Sequence, residues 1–118
     1  MLQPVEIFAA IDAQPSLMRE DACEAYVGKE IDWSLAFINA KKSGRGQALA
    51  VFHFKPRGLR LIMGKARLSA HPELEFMRDG EIARVRGTIR RIDALCIELD
   101  IRDMVFTATS NIRVSNGR

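Results

Sequence analysis

Apolar positions change period along the chain. Near the N-terminus Val5, Phe8 and Ile11, with Ile7 beside them, recur at spacings of three and four. That stripe predicts a short helix, opened by Pro4 at a first helical position and stopped by Pro15. Ser16 is placed to N-cap a second helix through about Ala25, with Glu20 and Asp21 near its start and Leu17, Cys23 (or Ala22) and Tyr26 facing inward. Gly28 ends it. From Glu30 the period is two: Ile31, Trp33, Leu35 and Phe37 alternate with Asp32, Ser34, Ala36 and Ile38, which predicts a half-buried strand with Trp33 in the core. Asn39 to Gly46 is polar and predicts a loop. A second strand runs from Gln47 to Phe54 and a third from Leu59 to Arg67, with a turn at Lys55-Pro56-Arg57-Gly58 between them. His71, Pro72, Leu74, Phe76 and Met77 fall in a short connector with room for one helical turn. After a turn at Arg78-Asp79-Gly80-Glu81, a fourth strand reaches Ile92, with Ala83, Val85, Gly87 and Ile89 on one face and Arg84, Arg86, Thr88 and Arg90 on the other. Asp93-Ala94 turns the chain into a fifth strand that buries Leu95, Ile97, Leu99 and Ile101. A separate short strand-like piece, Val105 to Thr109, and a loose tail, 115–118, complete the prediction.

Three strands, a connector and two more strands form the order of a five-stranded OB-fold-like Greek-key barrel, here mainly β with N-terminal helices. Periodicity alone also admits an SH3-like barrel. A length of 118 residues fits one domain, with a helical segment over 4–25 and a barrel over 30–109. Hydrophobic residues at 47% and charged residues at 28% exclude collagen-like and wholly disordered chains. No apolar run approaches the roughly 20 residues of a membrane helix, so no membrane partner is expected. Two cysteines, Cys23 and Cys96, are too few for a disulfide scaffold and read as free buried thiols of a reducing compartment. The apolar stretch around Ile7 to Ala10 is too short for a signal peptide and is flanked by Glu6 and Asp12, so the expected location is the cytoplasm.

Tyr26 to Ile31, Arg78 to Ile89 and Ile97 to Leu99 together resemble the tRNA_anti-like OB-fold domain family. Tyr26-Val27-Gly28-Lys29-Glu30-Ile31 is similar to the family's approach to its first strand. Arg78 to Ile89, through Gly80, Ile82, Val85, Gly87 and Ile89, resembles its fourth strand, with Ala83 where the family has a bulkier valine. Ile97-Glu98-Leu99 resembles the closing strand, and Gln14-Pro15 stands where the family has an Asn-Pro break after its leading helical residues. The resemblance spans residues 4 to about 101 and implies the barrel. Its functional implication is binding of nucleic acid or a small ligand. Many family members carry a secretion or lipoprotein signal, and none is visible here.

Charge sharpens this picture. Residues 1–32 hold seven acids and two bases, residues 33–72 hold eight bases and no acid, and residues 73–118 hold eight of each. A net charge of +3 therefore conceals an acidic helical lead and a basic first half of the barrel. Arginine outnumbers lysine 13 to 5, and its planar fork suits phosphate and carboxylate partners.

OB-folds bind single strands on the face of their second and third strands and on the loops joining strands one to two and four to five, through cations and stacked aromatics. Lys41, Lys42 and Arg45 fall in the first of those loops, Lys55 and Arg57 in the next turn, and Arg60 just beyond. If Phe52 and Phe54 face outward they form a stacking platform; if they are core, His53 faces outward beside the basic turn. The arginines of the fourth strand read as a cross-strand ion-pair ladder neutralised by Glu98 and Asp100. No phosphate-binding glycine loop, zinc helix or Cys-x-x-Cys is present, Ser43 and Ser69 lack a recognisable base partner, and no metal or cofactor is called for. The expectation is a non-catalytic module for an anionic ligand, foremost single-stranded DNA or RNA, contacted by Lys41, Lys42, Arg45, Phe52, Phe54, Lys55, Arg57 and Arg60. The competing expectation is a protein-interaction or regulatory domain without nucleic-acid binding. The acidic helices also have the charge to pair with the basic barrel face, of this chain or of a second copy in a homo-oligomer.

Overall fold

The computed structural model of the chain describes residues 2–54 and 58–107. Two helices, α1 (Pro4–Asp12) and α2 (Arg19–Glu24), precede five strands: β1 (Glu30–Lys42), β2 (Gln47–His53), β3 (Leu61–Arg67), β4 (Ile82–Ile92) and β5 (Cys96–Phe106). The strands close in the order β1-β2-β3-β5-β4, with β1 returning to β4. All pairings are antiparallel except β3 with β5, which is parallel from Leu61↔Cys96 to Lys65↔Asp100. This is OB-fold topology, and closure leaves no unpaired strand edge.

Alternation supplies the core. Ile31, Trp33, Leu35 and Phe37 of β1 meet Ala48, Ala50 and Phe52 of β2, Ile62 and Ala66 of β3, Ala83, Val85 and Ile89 of β4, and Ile97, Leu99, Met104 and Phe106 of β5. Phe37 packs edge-on against Phe52 and Phe106, with ring centroids 5.9 and 5.4 Å apart. Trp33 is buried as its phase predicts, and its indole N–H donates to the Leu2 carbonyl at 2.7 Å. That bond draws the N-terminus onto the barrel, where α1 adds Ile7, Phe8 and Ile11 to the same core. The acidic lead therefore covers its own barrel.

Several boundaries differ from the sequence reading. Asn39 to Lys42 continue β1 instead of forming loop. A bulge between Phe37 and Asn39 breaks the alternation there, and the chain beyond it pairs from Asn39↔Val51 to Lys42↔Ala48. Val105 and Phe106 belong to one long β5, which follows β4 as far as Ala83↔Phe106 around further register shifts. Leu95 is exposed: the Asp93 carboxylate accepts from the Leu95 and Cys96 N–H groups at 2.8 and 2.9 Å, and this turn holds Leu95 outside the strand. Ser16 lies inside a 3₁₀ turn (Ser16–Met18) and makes no cap. The same turn directs Leu17 to solvent, 94% exposed, while Ala22, Cys23 and Tyr26 pack against the core. Leu17→Ser is accordingly expected to change stability by no more than about 0.5 kcal/mol in a urea titration; a loss of about 2 kcal/mol would place Leu17 in the core after all. Cys23 and Cys96 are free but only half-buried. Burial, with Asp93 and Glu98 nearby, pushes the Cys96 thiol up to about 11, so it stays protonated at neutral pH. No described helix is long and apolar enough to cross a membrane. The end of the short strand-like piece and the tail over 115–118 lie outside the described residues.

Candidate nucleic-acid interface

Six arginines are occupied by acids, and the cations that are not define the candidate site. On β4, Arg84 grips Asp32 with two hydrogen bonds of 2.6 and 2.8 Å and holds that carboxyl below its ordinary range. Arg86 lies 3.8 Å from Asp103, Arg90 4.0 Å from Asp100, Arg91 3.4 Å from Glu98, and Arg102 of β5 3.6 Å from Glu30. The arginine face is thus an ion-pair ladder, with Glu98 and Asp100 in the places that alternation assigned them and Asp32 and Asp103 completing it. Such exposed pairs contribute little stability individually. Their effect here is to neutralise this wall of the barrel.

Arg60 is also committed. Its two Nη atoms bind the Asp12 carboxylate at 2.6 and 2.7 Å, its Nε donates to the Ala94 carbonyl at 3.0 Å, and its Cζ lies 4.6 Å from the centre of the Phe8 ring. Phe8 in turn stacks on Phe54, with centroids 5.6 Å apart and rings 12° from parallel. The guanidinium holds the Asp12 carboxyl below its usual range. This stack of Arg60, Phe8 and Phe54 fastens α1 to the barrel. It removes Arg60 from the expected phosphate contacts and Phe54 from the expected stacking platform. Phe52 is fully buried, so it too presents no face to a base. The reason is one of phase: Ala48, Ala50 and Phe52 point inward, which sends Leu49, Val51 and His53 outward. Lys55 and Arg57 lie outside the described residues.

Apart from Arg19, Lys29 and Arg78, which lie in the helical lead and in the turns before β1 and β4, the cations that no ion pair among the described residues engages are Lys41, Lys42, Arg45, Lys65 and Arg67. The register brings them to one corner of the barrel. Lys41 pairs with Leu49, which pairs with Lys65, so the two lysines flank Leu49 on the outer face, about 10 Å apart over two strand spacings. Gln47 pairs with Arg67 in the adjoining row. The hairpin from β1 to β2 turns through Gly44 and Gly46, at φ +82° and +68°, with exposed Arg45 between them. The Gly46 carbonyl accepts from the Leu68 N–H at 2.9 Å, which ties this tip, next to Arg45, to the end of β3, next to Arg67. Two clefts open beside the corner. One is lined by Ala40, Lys41, Lys42, Ala48, Leu68, Leu74 and Glu75. The other includes Lys65, Arg67, His71, Asp100 and Arg102. Along the same outer face, half-buried Leu49, Val51 and Met63 form an aliphatic strip.

Lys65 and Arg67 were within reach of sequence reasoning: the period-two pattern of β3 turns both outward once Ile62, Gly64 and Ala66 are taken as inward. Their meeting with Lys41 and Arg45 depends on strand register. The loop from β4 to β5, by contrast, is short, carries Asp93 and gives its Ala94 carbonyl to Arg60. It adds no free cation.

No protein-family model and no curated protein matches the chain. Among solved structures, it is similar to a crystal structure from Klebsiella pneumoniae subsp. pneumoniae, provisionally named a nucleic acid-binding lipoprotein, with a TM-score of 0.58 and 14% identity over 87% of each chain. At that identity the likeness is one of fold alone.

Proposed function

We propose that this chain is a non-catalytic OB-fold module that binds single-stranded nucleic acid through the corner formed by Lys41, Lys42, Arg45, Lys65 and Arg67. The carrying observation is the distribution of unpaired charge: the β4 arginines and Arg60 have acidic partners, whereas these five cations have none among the described residues. Unpaired cations gathered at one corner are suited to a ligand of regularly spaced negative charge, because each phosphate contact releases condensed counterions. The strip of Leu49, Val51 and Met63 offers an apolar surface to sugars and bases beside them. The name given to the Klebsiella protein supports this reading, as does the resemblance to tRNA_anti-like domains.

Titrating a labelled oligonucleotide at several salt concentrations tests it. Five phosphate contacts on a single strand predict a log–log slope of about −3.5. Saturable binding that weakens with that steepness is the expected result, and an absence of binding at low salt overturns the proposal.

A second reading, a protein-interaction module, rests on exposed Val5, Leu59 and Ile82, which border the shallow apolar clefts beside α1 together with Phe54. Under that reading the folded protein ignores oligonucleotides at every salt concentration.

A further inference from the structure

Aromatic side chains are scarce in this chain and nearly all are enclosed. Among the described residues Trp33, Phe8, Phe37, Phe52 and Phe106 are buried, and Phe54 and Tyr26 are half-buried against the core. Phe76 is 73% exposed. It follows the 3₁₀ turn Pro72–Glu75 in the connector from β3 to β4, and that connector is anchored on both sides of it. Leu74 is buried and Met77 packs against the core. The Glu73 carbonyl accepts from both the Phe76 and Met77 N–H groups, at 2.9 and 3.1 Å, while buried His71 precedes the turn with Nδ1 3.5 Å from a Glu73 carboxylate oxygen. With its neighbours held inward, Phe76 projects outward from an ordered turn. An exposed phenyl ring forgoes the stabilisation that burial would give it.

The position of the ring supplies a use. Glu75, its immediate neighbour, shares a cleft with Lys41, Lys42, Leu68 and Leu74. We propose that Phe76 is the base-stacking residue of the interface, receiving a base of the strand whose phosphates lie on Lys41, Lys42 and Arg45. This inference rests on the nucleic-acid reading of that corner. Glu75 sets the orientation: its carboxylate repels phosphate from the connector side of the cleft, so the backbone lies along the lysines and the uncharged base turns toward the connector that carries the ring. Stacking on a single ring accepts any base, since every base has a π-face. The site therefore takes single strands with little sequence preference and discriminates against duplexes, whose bases are already stacked.

The test compares two labelled strands of equal length, about 12 nucleotides, within the range one OB-fold covers: oligothymidine and a fully abasic strand with the same phosphates. Phe76→Ala should weaken oligothymidine binding about 5- to 150-fold, leave the abasic strand unaffected, and leave the melting temperature unchanged because the ring is exposed. Phe76→Trp should restore binding. If oligothymidine binds the parent protein and Phe76→Ala equally well, or if the variant loses both strands equally, the stacking role is wrong while the basic corner stands. If the parent protein binds neither strand at low salt, the nucleic-acid reading fails and this inference fails with it.

Discussion

Replacing Lys41, Lys42 and Arg45 together by alanine is expected to weaken oligonucleotide binding about 100-fold at 0.1 M salt and to flatten the log–log salt slope by about 2. The two figures are linked, because each lost phosphate contact removes about 0.7 from a single-strand slope and the same factor sets its contribution at that salt. The folded state should be indifferent to the change. All three side chains are exposed, none has an ion-pair partner among the described residues, and the hairpin is held by backbone bonds such as Ser43 N–H to the Gln47 carbonyl at 2.9 Å. A control in which Arg84, Arg86 and Arg90 are replaced removes the same formal charge from the paired wall of the barrel. That variant should lose much less affinity, because those cations are already neutralised locally. Equal losses from the two triple variants would mean that net charge governs binding and that the corner is not a site. Fluorescence anisotropy on both, alongside circular dichroism melts, decides between these outcomes.

The second large effect concerns Gly87. A Cβ at this position would be driven into the Asp100 backbone carbonyl oxygen, with the Ile101 Cα also only 3.1 Å away. The obstacle is main chain, so no rotamer change relieves it. Gly87 also sits where the pairing of β4 with β5 shifts register, between Arg86↔Asp103 and Gly87↔Ile101. Gly87→Ala must therefore push apart the most extensive hairpin of the barrel. The expected cost is about 3 kcal/mol or more, at the upper end of overpacking substitutions and a large share of the stability of a domain this size. Urea denaturation followed by Trp33 fluorescence is the measurement, since the indole is enclosed in the native state and freed on unfolding. A variant as stable as the parent would show that β4 and β5 do not approach this closely.

Phase was the part of this protein that could be read in advance. Ile31, Trp33, Leu35 and Phe37, the inward set of β4, and Ile97 with Leu99 all lie where a period of two puts them, and their order along the chain leads to the five-stranded barrel. The helical stripe of Val5, Phe8 and Ile11, with Ile7 beside it, was legible in the same way, except that Val5 at its start is exposed. The failures fall where local and tertiary geometry interrupt the period. The bulge after Phe37 carries β1 on through Lys42, the turn at Asp93 lifts Leu95 out, and a 3₁₀ turn exposes Leu17.

The candidate site was legible only as a region. The acid-free block over 33–72 holds all five cations of the corner, and composition alone makes that block visible. Which cations are free is decided by partners distant in sequence: Asp12 for Arg60 and Asp32 for Arg84. The convergence of Lys41, Lys65 and Arg67 likewise depends on which residue of β2 lies opposite which residue of β1 and β3. Alternation is a property of the backbone of each strand, so the sequence by itself determined which residues face inward and hence the barrel. Charge neutralisation and surface convergence act between side chains that only closure of the barrel brings together, so tertiary structure alone decided which cations stay unpaired and which of them gather at one corner.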